Sequence, residues 1–223
     1  MTRMLVLCLH DIVEAAPPNE WGVTARELES LLERYLDEGR PFVTLDELPH
    51  AGERAVALTI DDARASAVTW LRHSAARLGI RATLFAVPGW IDAPESVPAA
   101  ETYSPLATWD AIGELLADGH RVGSHSVTHV RLPSLPDGDL RRELHDSRRR
   151  IEEALHASVA HFAAPYGALD DRVVRAAAAA GYRTISSTRA GVNGETERRS
   201  GVLKRIVLRR DRPDLGLPEE YAV

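Results

Sequence analysis

The feature that most constrains this chain is an alternation of scale: short runs rich in β-branched and aliphatic residues recur along it, separated by longer stretches with helical periodicity. Runs at 4–9, 55–60, 81–87, 121–123, 160–163, 182–186 and 202–208 read as strands. Helical patterns cover 24–38, 65–78, 109–117, 139–155 and 170–180. The first is bounded by its own chemistry, because Thr24 and Glu27 have the spacing of a capping box and Gly39 supplies the stop. Gly79, Gly119 and Gly181 end three of the others. Repeated βα units imply a mainly parallel sheet. Periodicity leaves a barrel and an open doubly wound sheet as alternatives, and both put ligand sites at the C-terminal ends of the strands. With 223 residues and no shift in composition along the chain, residues 1–223 read as a single domain.

Composition narrows the classes of partner. Hydrophobic residues make up 44% and charged residues 27%, enough apolar material for a continuous core. The net charge of −6 argues against nucleic acid, which is held by clustered cations. Arg141, Arg142 and Arg148 to Arg150 do cluster, but Glu143, Asp146, Glu152 and Glu153 interleave with them, the pattern of a solvated helix face. No window approaches the roughly 18 apolar residues that span a bilayer, so no membrane role is expected. The apolar stretch at 4–9 is too short for a signal-peptide core, and a cytoplasmic location is expected. Cys8, the single cysteine, lies inside that stretch and reads as a small buried hydrophobe.

Three segments carry chemistry, each at the end of an expected strand. In Thr59-Ile60-Asp61-Asp62 two adjacent carboxylates follow an apolar run; neighbours on a strand face opposite ways, so both serve one site only where the strand breaks into its loop. Like charges this close call for a compensating cation. Alone, the pair equally describes a helix cap. In His125-Ser126-Val127-Thr128-His129 two imidazoles at i and i+4 face the same way on a helical turn. With Asp62 they make two histidines and one carboxylate, the donor set of a catalytic zinc site with one open position. In Ala164-Pro165-Tyr166-Gly167 a tight turn is able to present a backbone N–H to a developing oxyanion, or is a plain βα connection.

In these residues the chain resembles the polysaccharide deacetylases of carbohydrate esterase family four, the NodB-homology family. Thr59 to Asp62 looks like that family's Thr-Phe-Asp-Asp-Gly motif, His125 to His129 like its His-Ser/Thr-x-x-His motif, and Pro165 to Gly167 like its third motif. The resemblance implies a distorted (β/α)7 barrel and hydrolysis of N-acetyl groups by a metal-bound water. By it, Asp61 is the general base and Asp62, His125 and His129 are the metal ligands, with zinc as the usual metal and cobalt or nickel in some members. The Tyr166 backbone N–H is then part of the oxyanion hole. Three departures stand out. Ala63 replaces the motif's glycine, and Ala163 replaces an arginine that orients the catalytic aspartate in many members. Arg205 is the candidate substitute, with a surface arginine at a strand start as the alternative. No Leu-x-His stands near the C-terminus to supply the acid; instead Leu7-Cys8-Leu9-His10 resembles the circularly permuted poly-N-acetylglucosamine deacetylase subgroup, which makes His10 the candidate acid.

From a cytoplasmic location the expected substrate is a small N-acetylated amino sugar or glycoside. Hydrolysis of another non-peptide C–N bond, of the ureide or imide type, is a second reading, and a metal-free carbohydrate-binding relative a third. Trp90 and Tyr103, in the Pro-rich connection 88–105, either stack on a sugar ring or anchor that loop on the core.

Overall fold

The computed structural model describes residues 4–15, 19–101 and 104–210. The chain opens with β1 (Leu5–Leu9), a short pair β2 (Asp11–Val13) and β3 (Gly22–Thr24), and helix α1 (Ala25–Asp37). Then follow β4 (Phe42–Val43), β5 (Val56–Ile60), α2 (Ala65–Trp70), β6 (Ala82–Ala86), α3 (Pro88–Asp92), α4 (Trp109–Ala117) and β7 (Arg121–Ser124). The remainder comprises α5 (Asp137–Leu155), β8 (His161–Ala163), α6 (Asp171–Ala179), β9 (Thr184–Ser186), α7 (Glu195–Ser200), β10 (Val202–Leu203) and β11 (Ile206–Val207).

The main sheet runs β10-β9-β8-β7-β6-β5-β1-β11, with β4 beside β5, and its strands pair in parallel. Its two edges, β10 and β11, are joined through only Lys204 and Arg205, a link that spans about 10 Å at most. The edges therefore meet, and the sheet curls into a barrel whose seventh stave is β10 and β11 together. This is the expected distorted (β/α)7 arrangement, and the run at 202–208 is that stave with a break in it. The break is satisfied locally: Lys204 N–H donates to the Asn193 side chain at 2.9 Å, the Asn193 amide donates to the Lys204 carbonyl at 2.9 Å, and Arg205 N–H donates to Arg189 at 3.1 Å.

Alternation along the strands sorts the core. Leu5, Leu7, Leu9, Val56, Leu58, Ile60, Ala82 and Leu84 face the helices in the larger apolar cluster. Met4, Val6, Ala55, Ala57, Phe85, Ala163 and Leu203 form a second cluster inside the barrel. Register then carries the inward face upward. Cys8 pairs across from Thr59, and the next inward positions, past the strand ends, are His10 and Asp61. At the opposite rim Asp46 takes hydrogen bonds from Arg121 at 2.7 Å and His161 at 3.1 Å and pairs with Arg183, tying together the starts of three staves.

Helix boundaries follow local chemistry. Thr24 and Glu27 form the anticipated capping box of α1, and Asp170 caps α6 by accepting from Val173 N–H. Helix α5 starts at Asp137, two residues earlier than periodicity suggests, with Asp137 and Asp139 in its first turn. The pattern at 65–78 is interrupted: α2 ends at Trp70 and one π-helical turn, Leu71–Ala75, follows, keeping Trp70, Leu71 and Ala75 all buried. No helix among the described residues is long and apolar enough to cross a membrane.

Candidate active site

Four loops at the C-terminal ends of the staves meet over the barrel. Strand β5 ends at Ile60, and the chain turns at once: Asp62 has φ 70° and Ala63 φ 54°, left-handed values that swing the second carboxylate onto the same side as the first. Ala63 thus adopts the conformation for which a glycine is the usual choice. Asp61 N–H donates to the Leu9 carbonyl at 2.8 Å, fixing this turn against the end of β1.

The 125–129 segment brings its two imidazoles together, but by a loop and not by the helical turn expected. Ser126 and His129 have φ of 64° and 58°, so no helix is possible there. The reason lies in the partners of its amides. Glu143, reaching over from α5, accepts Val127 N–H at 2.7 Å, Thr128 N–H at 3.0 Å and the Thr128 hydroxyl at 2.6 Å. The Ser126 hydroxyl oxygen accepts His129 N–H at 3.0 Å. Glu143, which the charge pattern assigned to a solvated helix face, is instead the support of this loop.

The resulting geometry is convergent. One ligand atom from each of Asp62, His125 and His129 lies within 4.8 Å of the others. Asp62 Oδ1 is 3.8 Å from His125 Nε2 and 3.6 Å from His129 Nε2. His125 Nδ1 is 2.7 Å from the Ala163 carbonyl; a carbonyl only accepts, so Nδ1 carries a proton and Nε2 faces the carboxylates. Burial, reinforced by the neighbouring His125, lowers the His129 pKa to about 3, so its ring is neutral. Burial alone would raise the Asp62 carboxyl, but the surrounding histidines and Arg64 outweigh it and keep it ionised. Two imidazoles and a carboxylate, all buried, are the donor set a divalent cation requires.

Beside this set Asp61 is gripped by Arg205 from the break in the seventh stave. Arg205 Nη1 donates to Oδ1 at 2.7 Å and Nη2 to Oδ2 at 2.8 Å, a bidentate pair with both side chains buried. Nε donates to the Ser187 carbonyl at 2.9 Å and Nη1 also reaches Thr59 Oγ1 at 3.2 Å, so the guanidinium is held on several sides. Burial pushes the Asp61 carboxyl up, yet Arg205 and then His125 hold it well below the usual carboxylate range. The orienting arginine absent at Ala163 thus reaches Asp61 from another stave, and Ala163 contributes its carbonyl to His125.

His10 lies on the other side of Asp61; Cys8, His10 and Asp61 also offer ligand atoms within 4.8 Å of one another. The Cys8 thiol is buried and, chiefly through that burial, held well above its ordinary pKa, and it donates to Asp61 at 3.5 Å. Burial lowers the His10 pKa, while Asp62 and Asp61 pull it back upward. Its ring packs on Trp21, 5.2 Å between centroids. Tyr166, at φ 58°, forms the opposite wall, where its ring lies 4.7 Å from His129 and its hydroxyl donates to Glu101 at 3.0 Å. Gly167 is required beside it: at φ +64° an added Cβ would meet Thr188 Oγ1 at 1.9 Å.

These groups line a cavity of about 550 Å³. Trp90 does not face it as a sugar platform; it is 2% exposed and packs on His129 with ring centroids 4.6 Å apart, so it anchors its connection and backs the site. Tyr103, the other aromatic of that connection, lies outside the described residues. Trp21, Glu101, Arg131 and Glu143 are site residues that sequence reasoning missed, because none stands at a strand end and each is recruited by the fold.

Known proteins resemble this chain in sequence and in fold. A chitooligosaccharide deacetylase of Sinorhizobium fredii is 36% identical over 75 residues, which is 33% of this chain and 35% of that protein. The match therefore spans about a third of that relative's own length. Among solved structures, a de-N-acetylase from Aggregatibacter actinomycetemcomitans superposes with a TM-score of 0.81 at 20% identity, covering 99% of this chain and 98% of the other. IcaB from Ammonifex degensii gives 0.78 at 20% identity over 100% and 95%. At such identities these two likenesses speak for the fold. The sequence profile described as polysaccharide deacetylase matches residues 49–185, well over half the chain and inclusive of Asp61, Asp62, His125, His129 and Tyr166. The chain belongs to the polysaccharide deacetylase family.

Proposed function

We propose that this protein is a cytoplasmic, divalent-metal-dependent hydrolase that removes an N-acetyl group from a small amino sugar or glycoside. The observation that carries this reading is the convergence of Asp62, His125 and His129 within 4.8 Å, next to an aspartate clamped by Arg205. Zinc suits the two imidazoles and one carboxylate, with cobalt and nickel as alternatives. When bound, the cation supplies Lewis acidity to a water and to the acyl carbonyl.

The protein's own groups account for the proton movements. Asp61, ionised and unable to rotate away from Arg205, accepts the proton of the attacking water. The Tyr166 backbone N–H, in the rigid turn before Gly167, donates to the developing oxyanion, a contact worth on the order of 3 kcal/mol of barrier. His10 hands a proton to the departing nitrogen, with Asp61 and Asp62 as the counter-charges that let the ring hold one. A cavity of about 550 Å³ is of the size that encloses a small ligand. Its aromatic walls, Trp21 and Tyr166, suit the apolar faces of a sugar ring.

The test is a screen of zinc-loaded protein for acetate released from N-acetylated monosaccharides, disaccharides and glycosides. Acetate from at least one of them, lost in Asp62→Ala, is expected. Release of a product other than acetate from a ureide or imide ring would redirect the reading to that C–N chemistry, and activity on polymer alone would remove the small-molecule substrate.

A further inference from the structure

We propose that Arg131 is a substrate-recognition residue and that the substrate carries an acidic group, a carboxylate or a phosphate, close to its N-acyl nitrogen. The inference rests on the hydrolase reading above and sharpens its substrate class. Among the described residues two arginines line the cavity, Arg131 and Arg209, and they differ in one respect. Arg209 stacks on Trp21 at 4.7 Å and is ion-paired with Glu20. Arg131 stacks on Tyr166 at 4.6 Å, and among the described residues its guanidinium makes no hydrogen bond or ion pair.

Arg131 is an exposed residue whose backbone is fixed by its neighbours. Val130 packs against the core and Leu132 is fully buried, so the backbone on both sides of Arg131 is anchored and its side chain extends along the cavity wall. The same Tyr166 ring touches His129 on one side and Arg131 on another, which puts the guanidinium one aromatic ring away from the reacting centre. Stacking limits the rotamer freedom that binding would otherwise remove. What remains is a planar fork of donors at the cavity wall whose geometry matches a carboxylate or phosphate bidentately. The acidic groups of the cavity do not take that role: Asp61 is engaged by Arg205, Asp62 by the histidines, and Glu101 by the Tyr166 hydroxyl.

The experiment compares three probes that share one ring and differ only at C3, next to the carbon that bears the N-acetyl group: N-acetylglucosamine, its 3-phosphate, and its 3-O-carboxymethyl ether. Binding to the full chain is measured by calorimetry for wild type, Arg131→Gln and Arg131→Lys, with acetate release measured in parallel. At least one anionic probe should bind roughly 10- to 100-fold more tightly than the neutral sugar, the range expected of hydrogen bonds to a charged group. Arg131→Gln should remove that preference and raise KM for the anionic probe with kcat within about threefold, Arg131→Lys should restore part of it, and neutral-sugar binding should not move. Whichever anion shows the preference identifies the group. Equal or weaker binding of both anionic probes, undetectable binding of all three, or a preference that survives Arg131→Gln overturns the proposal. Anion-selective binding without acetate release overturns the hydrolase reading instead and leaves the role of Arg131 standing.

Discussion

The Asp61–Arg205 pair is the most demanding contact in the molecule. Both groups are buried, and each finds in the other the main counter-charge that offsets its burial. Arg205→Ala should therefore destabilise the fold by about 3–5 kcal/mol, the usual cost of orphaning a buried charge, and lower kcat/KM by at least about 100-fold. Arg205→Lys should not rescue activity, because one ammonium cannot reproduce two parallel N–H···O bonds. Thermal unfolding and initial rates check both statements. His10 makes a different prediction, since its role concerns the leaving group. His10→Asn should cost roughly 10²–10⁴-fold on an N-acetyl substrate and far less on an activated aryl acetate, whose leaving group departs without a proton. Equal losses on both substrates would move His10 from acid to structural support.

Among elements, the loops hold the strain. Among the described non-glycine residues with left-handed φ, Asp62, Ala63, Ser126, His129 and Tyr166 lie in three of the four site loops, with only Arg54 and His156 elsewhere. Such backbone persists because each loop is tied to a rigid element, and Glu143 on α5 does this for the 125–129 loop through three hydrogen bonds. Glu143→Gln, which keeps the shape and removes the charge, should weaken zinc affinity roughly 10- to 100-fold while leaving the far-UV spectrum unchanged; competition with a zinc indicator reads this directly. The same loop explains what was legible in the sequence. The identities Asp61, Asp62, His125, His129 and Arg205 could be named because strand ends, residue spacing and family resemblance mark them. The loop conformation could not, because i, i+4 spacing is compatible with a helical turn, and the competing acceptors, Ser126 Oγ and the distant Glu143 carboxylate, are visible only once α5 is packed. For the same reason Trp90 kept two readings in the sequence, and contact with His129 decides between them.

At the scale of the whole molecule, parallel staves could be read from βα periodicity, and closure of the sheet follows from the two-residue link between β10 and β11. The broken seventh stave is the part that periodicity hides, since 202–208 scans as one apolar run. Its interruption turns Arg205 inward, so closure of the barrel and orientation of Asp61 depend on the same two residues. The apolar core beneath the rim, in its two clusters on either face of the sheet, is built without any of the site's polar groups, so the fold should outlast removal of a cation while the chemistry should not. The most direct measurement is zinc content by elemental analysis of protein dialysed against zinc, for wild type, Asp62→Ala and His129→Ala, with circular dichroism on the same samples. About one zinc per chain in wild type, less than about 0.1 in either variant, and unchanged spectra are expected of a three-ligand site. Wild-type protein that stays folded and free of zinc, or variants that retain it in full, would contradict the convergence of Asp62, His125 and His129 on one ion.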